Sequence, residues 1–331
     1  MKKTLRPVSV AAIGLLAAGS TLAAPTAFAD PVDADRGPVL DRVNSTRAAQ
    51  AKVTDYWTAD RMEAAKPLTV DPGPDFDREP VQTGEPRVIE GASAEQNRDA
   101  SAEGEPFLGG PWTGGGAVEK TTGKVFFTLS GTDYVCSANA VESSNQSTVA
   151  TAGHCVNDGA GEFASNFVFV PGYDHGEAPH GEWTATTLGT TAEWDGGEDF
   201  NYDAGFAVVE STDGSTLTDT VGSQSIGFNT ERGGFLYSFG FPAAEPYDGE
   251  ELDYCSSEAT DDVNGTEDQR LDCNMTGGSS GGPWFADFSE SEGTGVQVSV
   301  NSFGYTNEAD AMYGPYFGSV IEELYNAAEA A

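Results

Sequence analysis

Beyond about residue 117 the apolar residues of the chain fall into short runs: KVFFTL (124–129), NFVFV (166–170), AGFAVV (204–209), FLYSFGF (235–241) and VQVSV (296–300). Gly, Asn, Asp and Ser punctuate them, and Val, Phe and Tyr dominate within them. Many short, closely spaced strand-like segments with almost no helical period predict an all-β sandwich or barrel. The exception is the C-terminus. There Phe317, Val320, Ile321, Leu324 and Tyr325 recur at i, i+3, i+4, i+7 and i+8, which predicts one amphipathic helix docked on the body. The stretch is long enough for two small barrels in one unit.

The upstream third has a different texture. Residues 39–66 read as helical, with Thr58 as an N-cap in TADRMEAAKP and Pro67 as a stop. Val53, Tyr56, Trp57 and Met62 form an apolar cluster there, and a helix of this kind is stable mainly when such a face packs on something. Residues 71–116 are rich in Pro, Gly, Glu and Asp and read as an acidic linker. The first residues, with Lys2, Lys3 and Arg6, an apolar run and AFA at 27–29, have the layout of a secretory signal cut after Ala29. No later stretch approaches the roughly 18 apolar residues of a membrane helix. The expected organisation is a signal (1–29), a pro-segment with a helical part and the acidic linker (30–105), and a β domain (106–331). The alternative for the middle part is a disordered tail that stays attached.

Charge narrows the function classes. The formal net charge is −37, and after Lys124 the only basic side chains are Arg232 and Arg270. No basic patch for nucleic acid can be assembled from that. An exported chain permits disulfides, and Cys136, Cys155, Cys255 and Cys273 form an even set. Order and spacing favour Cys136 with Cys155 and Cys255 with Cys273. A zinc site of all four is the competing reading, but no C-x-x-C pair supports it.

The candidate chemistry begins at TGGSSGGPW (276–284), where Ser279 and Ser280 sit side by side in a glycine-rich turn. A serine hydroxyl needs a base to become a nucleophile. The three histidines, His154, His175 and His180, all precede Ser280. Residues 278–282 also satisfy G-x-S-x-G, but the α/β-hydrolase order places its histidine after the serine, so that reading fails. His154 remains, in the tight corner of STVATAGHCV beside Cys155.

TAGHC followed far downstream by GGSSGGP resembles the chymotrypsin-type serine peptidases, especially secreted bacterial members that include the glutamyl endopeptidase branch. The resemblance covers roughly residues 117–331. It implies two six-stranded antiparallel β-barrels with the catalytic cleft between them, followed here by the C-terminal α-helix. It implies His154 as general base, Ser280 as nucleophile, Ser279 as bystander, and an oxyanion hole of the Gly278 and Ser280 N–H groups. The acid falls on Asp203 in NYDAGFAVV, although Ala204 follows it directly where the family has one residue between. Asp195 and Asp199 are the alternatives.

Three departures matter. Ser279 stands where animal trypsin-like enzymes have the aspartate that pairs with a newly cut N-terminus, so that activation switch is missing. Asn274 occupies the position six before the nucleophile that selects Lys or Arg when it is aspartate. The strand VSVNSFGY carries Asn301 and Ser302 where the glutamyl branch has a histidine, and Gly304 follows. These four residues are the expected pocket, with an uncharged substrate residue favoured and Asp272 able to reach it only if the loop bends. Asp174, His175 and His180 read as a polar surface loop, and ATDDVNGTED (259–268) lacks EF-hand spacing. The expectation is a secreted, monomeric serine endopeptidase acting on proteins or peptides, with no cofactor or metal. A protease-like binding protein without turnover is the alternative.

Overall fold

The computed structural model describes residues 37–72, 80–92, 104–211 and 213–331. The expected signal lies outside the described residues, as does part of the acidic linker. Strands Thr122–Leu129, Thr132–Ala140, Thr148–Thr151, Ser165–Pro171, Trp183–Thr190 and Gly205–Glu210 pair antiparallel around a closed barrel. It is sealed where Ser165–Pro171 meets both Thr122–Leu129 and Trp183–Thr190. The uninterrupted apolar runs have a simple cause. Val125, Phe127, Leu129, Phe167 and Phe169 fill the barrel interior, while the alternate residues Phe126, Val168 and Val170 face a second apolar layer outside it. A strand covered on both faces loses its polar alternation.

Part of that outer layer comes from upstream. Helices Arg47–Tyr56 and Ala59–Ala64, the second capped by Thr58, bring Val53 and Trp57 onto Phe126, Val135, Val168 and Val170. The Trp57 indole donates to the Asn166 carbonyl at 2.6 Å, and Tyr56 reaches Asp133 at 2.9 Å. The apolar cluster therefore docks on the β domain, as its composition suggested. Two upstream readings need correction. Val39–Arg42, read as helical, is a strand on the edge of Trp183–Thr190. The supposed linker contains strands Arg87–Ile89 and Phe107–Pro111, which pair with Ser225–Phe228 and Asp253–Asp261. Edge pairing supplied by the downstream domain outweighs weak local preference in both cases.

The second unit is a nine-stranded sheet. Its main path runs Ala311–Gly314, Gln269–Asp272, Asp253–Asp261, Gly234–Gly240, Pro283–Ser289, Thr294–Val300, Ser225–Phe228, Arg87–Ile89. Ser225–Phe228 pairs parallel with Thr294–Val300, whereas the remaining pairings of this sheet are antiparallel. Trp284 and Met312 pack around the Cys255–Cys273 bridge, and Trp112, Tyr237, Phe239 and Phe288 form an aromatic stack on another side. The C-terminal helix Ser319–Glu329 buries Ile321, Leu324, Tyr325 and Ala328 in the core shared with the barrel. Both disulfides join as expected, Cys136 to Cys155 and Cys255 to Cys273.

Candidate active site

His154 is held by the way its strand ends. Thr148–Thr151 stops, and Gly153–Cys155 forms one 3-10 turn that is tied to the neighbouring strand through Cys136. Gly153 is required for packing. A side chain there would come within 2.9 Å of Asp203 Oδ1 and 3.0 Å of Thr190 Oγ1. The turn leaves the His154 ring only 2% exposed.

Asp203 ends a second 3-10 turn, Phe200–Tyr202, and is wholly buried. Its Oδ1 accepts the backbone N–H of His154 at 2.7 Å, and its Oδ2 lies 2.7 Å from His154 Nδ1. The Ser302 hydroxyl also donates to Oδ2. A carboxylate facing Nδ1 holds the tautomer that carries its proton there and leaves Nε2 as an acceptor. That Nε2 is buried without a hydrogen-bond partner. A buried polar atom left unpaired costs about 1–3 kcal/mol, which makes such atoms uncommon outside functional sites.

The serine loop is fastened from behind. The Ser137 hydroxyl donates to the Gly278 carbonyl at 2.9 Å, and the Ser137 N–H donates to the Ser280 carbonyl at 2.7 Å. Ser279 spends its hydroxyl on the Thr276 carbonyl at 2.8 Å. The N–H groups of Ser279, Gly281 and Gly282 bind the carbonyls of Thr276, Asn301 and Ser279. Among the described residues, the N–H groups of Gly278 and Ser280 make no such bond. Gly278 sits at φ +100°, and any side chain there would strike the Phe241 carbonyl and Ala243. Only glycine adopts that conformation without strain.

The expected pocket residues separate into two groups. Asn274, Ser302 and Gly304 line a cavity of about 390 Å³ together with Ser280, Met275 and Met312, and Asn274 accepts the Tyr247 hydroxyl. Asn301 does not line it. It is buried behind the serine loop, donating Nδ2 to the carbonyls of Phe239 (3.0 Å) and Ser279 (3.1 Å). Its Oδ1 accepts from Ser238 (2.6 Å) and Trp284 (2.7 Å). The strand Thr294–Val300 has ended here, and the chain turns Ser302 to the cavity and Asn301 away from it. Asp272 turns outward to Arg270 at 2.8 Å and does not line the cavity.

The other candidate acids have separate tasks. Asp195 accepts from Asn157 at 2.7 Å, and Asp199 caps the Phe200–Tyr202 turn while burial pushes its carboxyl above the usual range. His175 pairs with Asp174 at 2.6 Å on the surface, and that bond raises its pKa. Burial lowers the pKa of His180. In the 259–268 loop, Asp262 is saturated by Asn264, Gly265, Thr266 and Tyr305. Asp268 was missed by the sequence reading. It is fully buried with both oxygens unpartnered, and burial, reinforced by Asp203, Asp262 and Asp199, raises its pKa well above the carboxylate range.

Two solved structures match at 50% identity with TM-scores of 0.62: the protease Anisep from Arthrobacter nicotinovorans and the thermostable serine protease AL20 from an extremophilic microorganism. This chain covers 96% and 99% of them, and they cover 64% and 65% of it. The chain belongs to the chymotrypsin-like bacterial serine proteases. A Glu endopeptidase structure, 19% identical with a TM-score of 0.54, shares the fold and covers 69% of this protease, which spans 99% of it. No family model matches. Among curated proteins, the extracellular metalloprotease of Bacillus subtilis (strain 168) is 25% identical over 225 residues, 65% of this chain and 67% of that protein. The described residues do not fit the metal in that name. Among the described residues, the grouping whose ligand atoms converge is Cys136, His154 and Cys155, and both sulfurs are spent in the disulfide.

Proposed function

We propose that this chain is a secreted serine endopeptidase in which Ser280, His154 and Asp203 act as nucleophile, general base and orienting acid. The observation that carries the reading is the hold of Asp203 on both the backbone N–H and Nδ1 of His154, which leaves Nε2 as the free ring atom. In the reaction, His154 Nε2 takes the Ser280 hydroxyl proton as Oγ attacks the substrate carbonyl. The oxygen becomes an anion facing the uncommitted N–H groups of Gly278 and Ser280. Each such donor is typically worth about 2.7–4 kcal/mol of barrier. The amine leaves with the proton held on His154, and water, deprotonated by the same nitrogen, hydrolyses the acyl-enzyme.

The cavity beside Ser280 supports an uncharged residue on the acyl side of the cut bond, because Met275, Met312, Phe303 and Ala311 line it, Asp272 does not, and of the two acidic residues that do, Glu308 and Asp310, the first is held by Arg270 at 2.9 Å. Residues 30–105 are read as a pro-segment, supported by the docking of Val53 and Trp57 on the barrel. The disulfides fit an extracellular site of action. Labelling of the processed chain by a fluorophosphonate probe tests the reading. Labelling lost in Ser280→Ala and retained in Ser279→Ala is expected, and a folded, processed chain that never labels overturns it in favour of a silent binding protein.

A further inference from the structure

We infer that residues 66–72 form an inhibitory strap lying in the substrate cleft, so that the uncut chain blocks its own nucleophile. The inference rests on the serine peptidase reading and adds its regulation. Lys66–Pro67 pairs with Tyr134–Val135, next to the Cys136 end of the bridge that holds the His154 turn, and the Leu68 N–H points to the Val135 carbonyl at 3.5 Å. The segment then passes over the serine loop. A side chain on Gly277 would collide with Thr69 Oγ1 and would lie 3.3 Å from both the Leu68 carbonyl and Pro67 Cβ. Val70 follows onto an apolar shelf made by Trp194, Phe200, Phe303 and Tyr313.

The two halves of the site confirm the path. One cavity, about 420 Å³, is lined by His154 and Trp194, and the other by Ser280 and Gly277. Leu68 and Val70 line both. A peptide whose carbonyl reaches the Gly278 and Ser280 N–H groups must cross the space over Gly277 that Thr69 fills. The strap is also pinned at both ends. Upstream, Trp57 is buried and Arg61 pairs with Asp133 at 3.2 Å. Downstream, the Gly84 N–H binds Asn229 at 2.7 Å, and Arg87–Ile89 is a strand of the second sheet. Tethering at both ends makes occupancy intramolecular and keeps the local concentration of the strap high. The central residues Pro67, Leu68, Thr69 and Val70 carry no charge, and they lie where Met275, Phe303 and Ala311 line the cleft, its acidic residues Glu308 and Asp310 being part of the same wall.

The test compares fluorophosphonate labelling rates of the full, uncut chain, the processed chain, and an uncut chain carrying both Leu68→Asp and Val70→Asp. Uncut wild type should label at least about tenfold more slowly than processed enzyme, which means the cleft is open about a tenth of the time or less. The doubly substituted uncut chain should recover most of the processed rate. Equal rates for uncut and processed wild type overturn the strap, and that comparison needs no variant to fold. A folded double variant that labels as slowly as uncut wild type overturns it too. Failure of the processed chain to label would sink the peptidase reading instead.

Discussion

Asp203 grips His154 twice, at the backbone N–H and at Nδ1, both at 2.7 Å. The two bonds fix the ring's position and its tautomer with one carboxylate, and Ser302 steadies the oxygen that faces Nδ1. Asp203→Asn would present an amide in place of an acceptor and favour the wrong tautomer. The expected result is a fall in kcat of about 10⁴, as removal of the acid from such a triad gives. Steady-state hydrolysis of a peptide substrate reads it, and a loss under tenfold would show that another group orients the ring.

Asn301 should act through the serine loop. Asn301→Leu strands the donors of Ser238 and Trp284 and takes a donor from the carbonyls of Phe239 and Ser279, the latter keeping the Gly282 N–H. Each stranded group costs about 1–3 kcal/mol. Stability measured by denaturant unfolding should fall, and kcat should fall with KM nearly unchanged, because Asn301 does not line the cavity. A change confined to KM would return Asn301 to the pocket wall.

These two residues mark how far the sequence could be read. His154, Ser280 and Asp203 sit in local phrases whose glycines and apolar neighbours announce a turn beside a strand end. Asn301 looked like a pocket residue because its role depends on Phe239 and Ser279, 62 and 22 positions away. Asn301 and Ser302 part just past the end of Thr294–Val300, where no strand period applies. Leu68 and Val70 fell between the helical stretch 39–66 and the linker 71–116 and drew no reading, since two aliphatic residues carry no period. Val39–Arg42 looked helical because the edge it joins, Trp183–Thr190, is formed far downstream.

The disulfides should differ in their effect on catalysis more than on stability. They span 19 and 18 residues, so loop entropy assigns each about 3 kcal/mol. Only Cys136–Cys155 braces the His154 turn. The Cys136→Ala, Cys155→Ala pair should therefore lower kcat more than Cys255→Ala, Cys273→Ala at a similar loss of Tm. Equal kcat losses would mean that the turn is rigid without its bridge.

Stability should depend on pH through Asp253. Burial, with the charges of Glu251 and Asp248, pushes its carboxyl up to about 7. The folded chain thus holds a proton that the unfolded chain releases near the ordinary carboxylate range. Its contribution to stability is full at low pH and declines as pH rises from that range to about 7. Asp253→Asn removes the titration. Tm of the variant should exceed that of wild type at pH 8 by more than at pH 4, and a constant difference would remove Asp253 from the pH dependence.

Processing should keep the strand Phe107–Pro111 in the second sheet. Phe107–Pro111 pairs with Asp253–Asp261, the strand that carries Cys255, and the Ser256 hydroxyl donates to the Glu105 carbonyl at 3.0 Å. A cut downstream of Glu105 would strip a strand from the sheet. A cut upstream of Lys66 would leave the strap joined to the catalytic domain through Arg87–Ile89. The cut that frees the strap and keeps Phe107–Pro111 in place falls between Ala92 and Glu105, and it releases the edge strand Arg87–Ile89 along with the strap. N-terminal sequencing of active secreted enzyme should place the mature terminus in that interval. A fully active chain beginning at Asp30 would instead show that residues 30–105 are a permanent part of the enzyme, and that the strap does not block it.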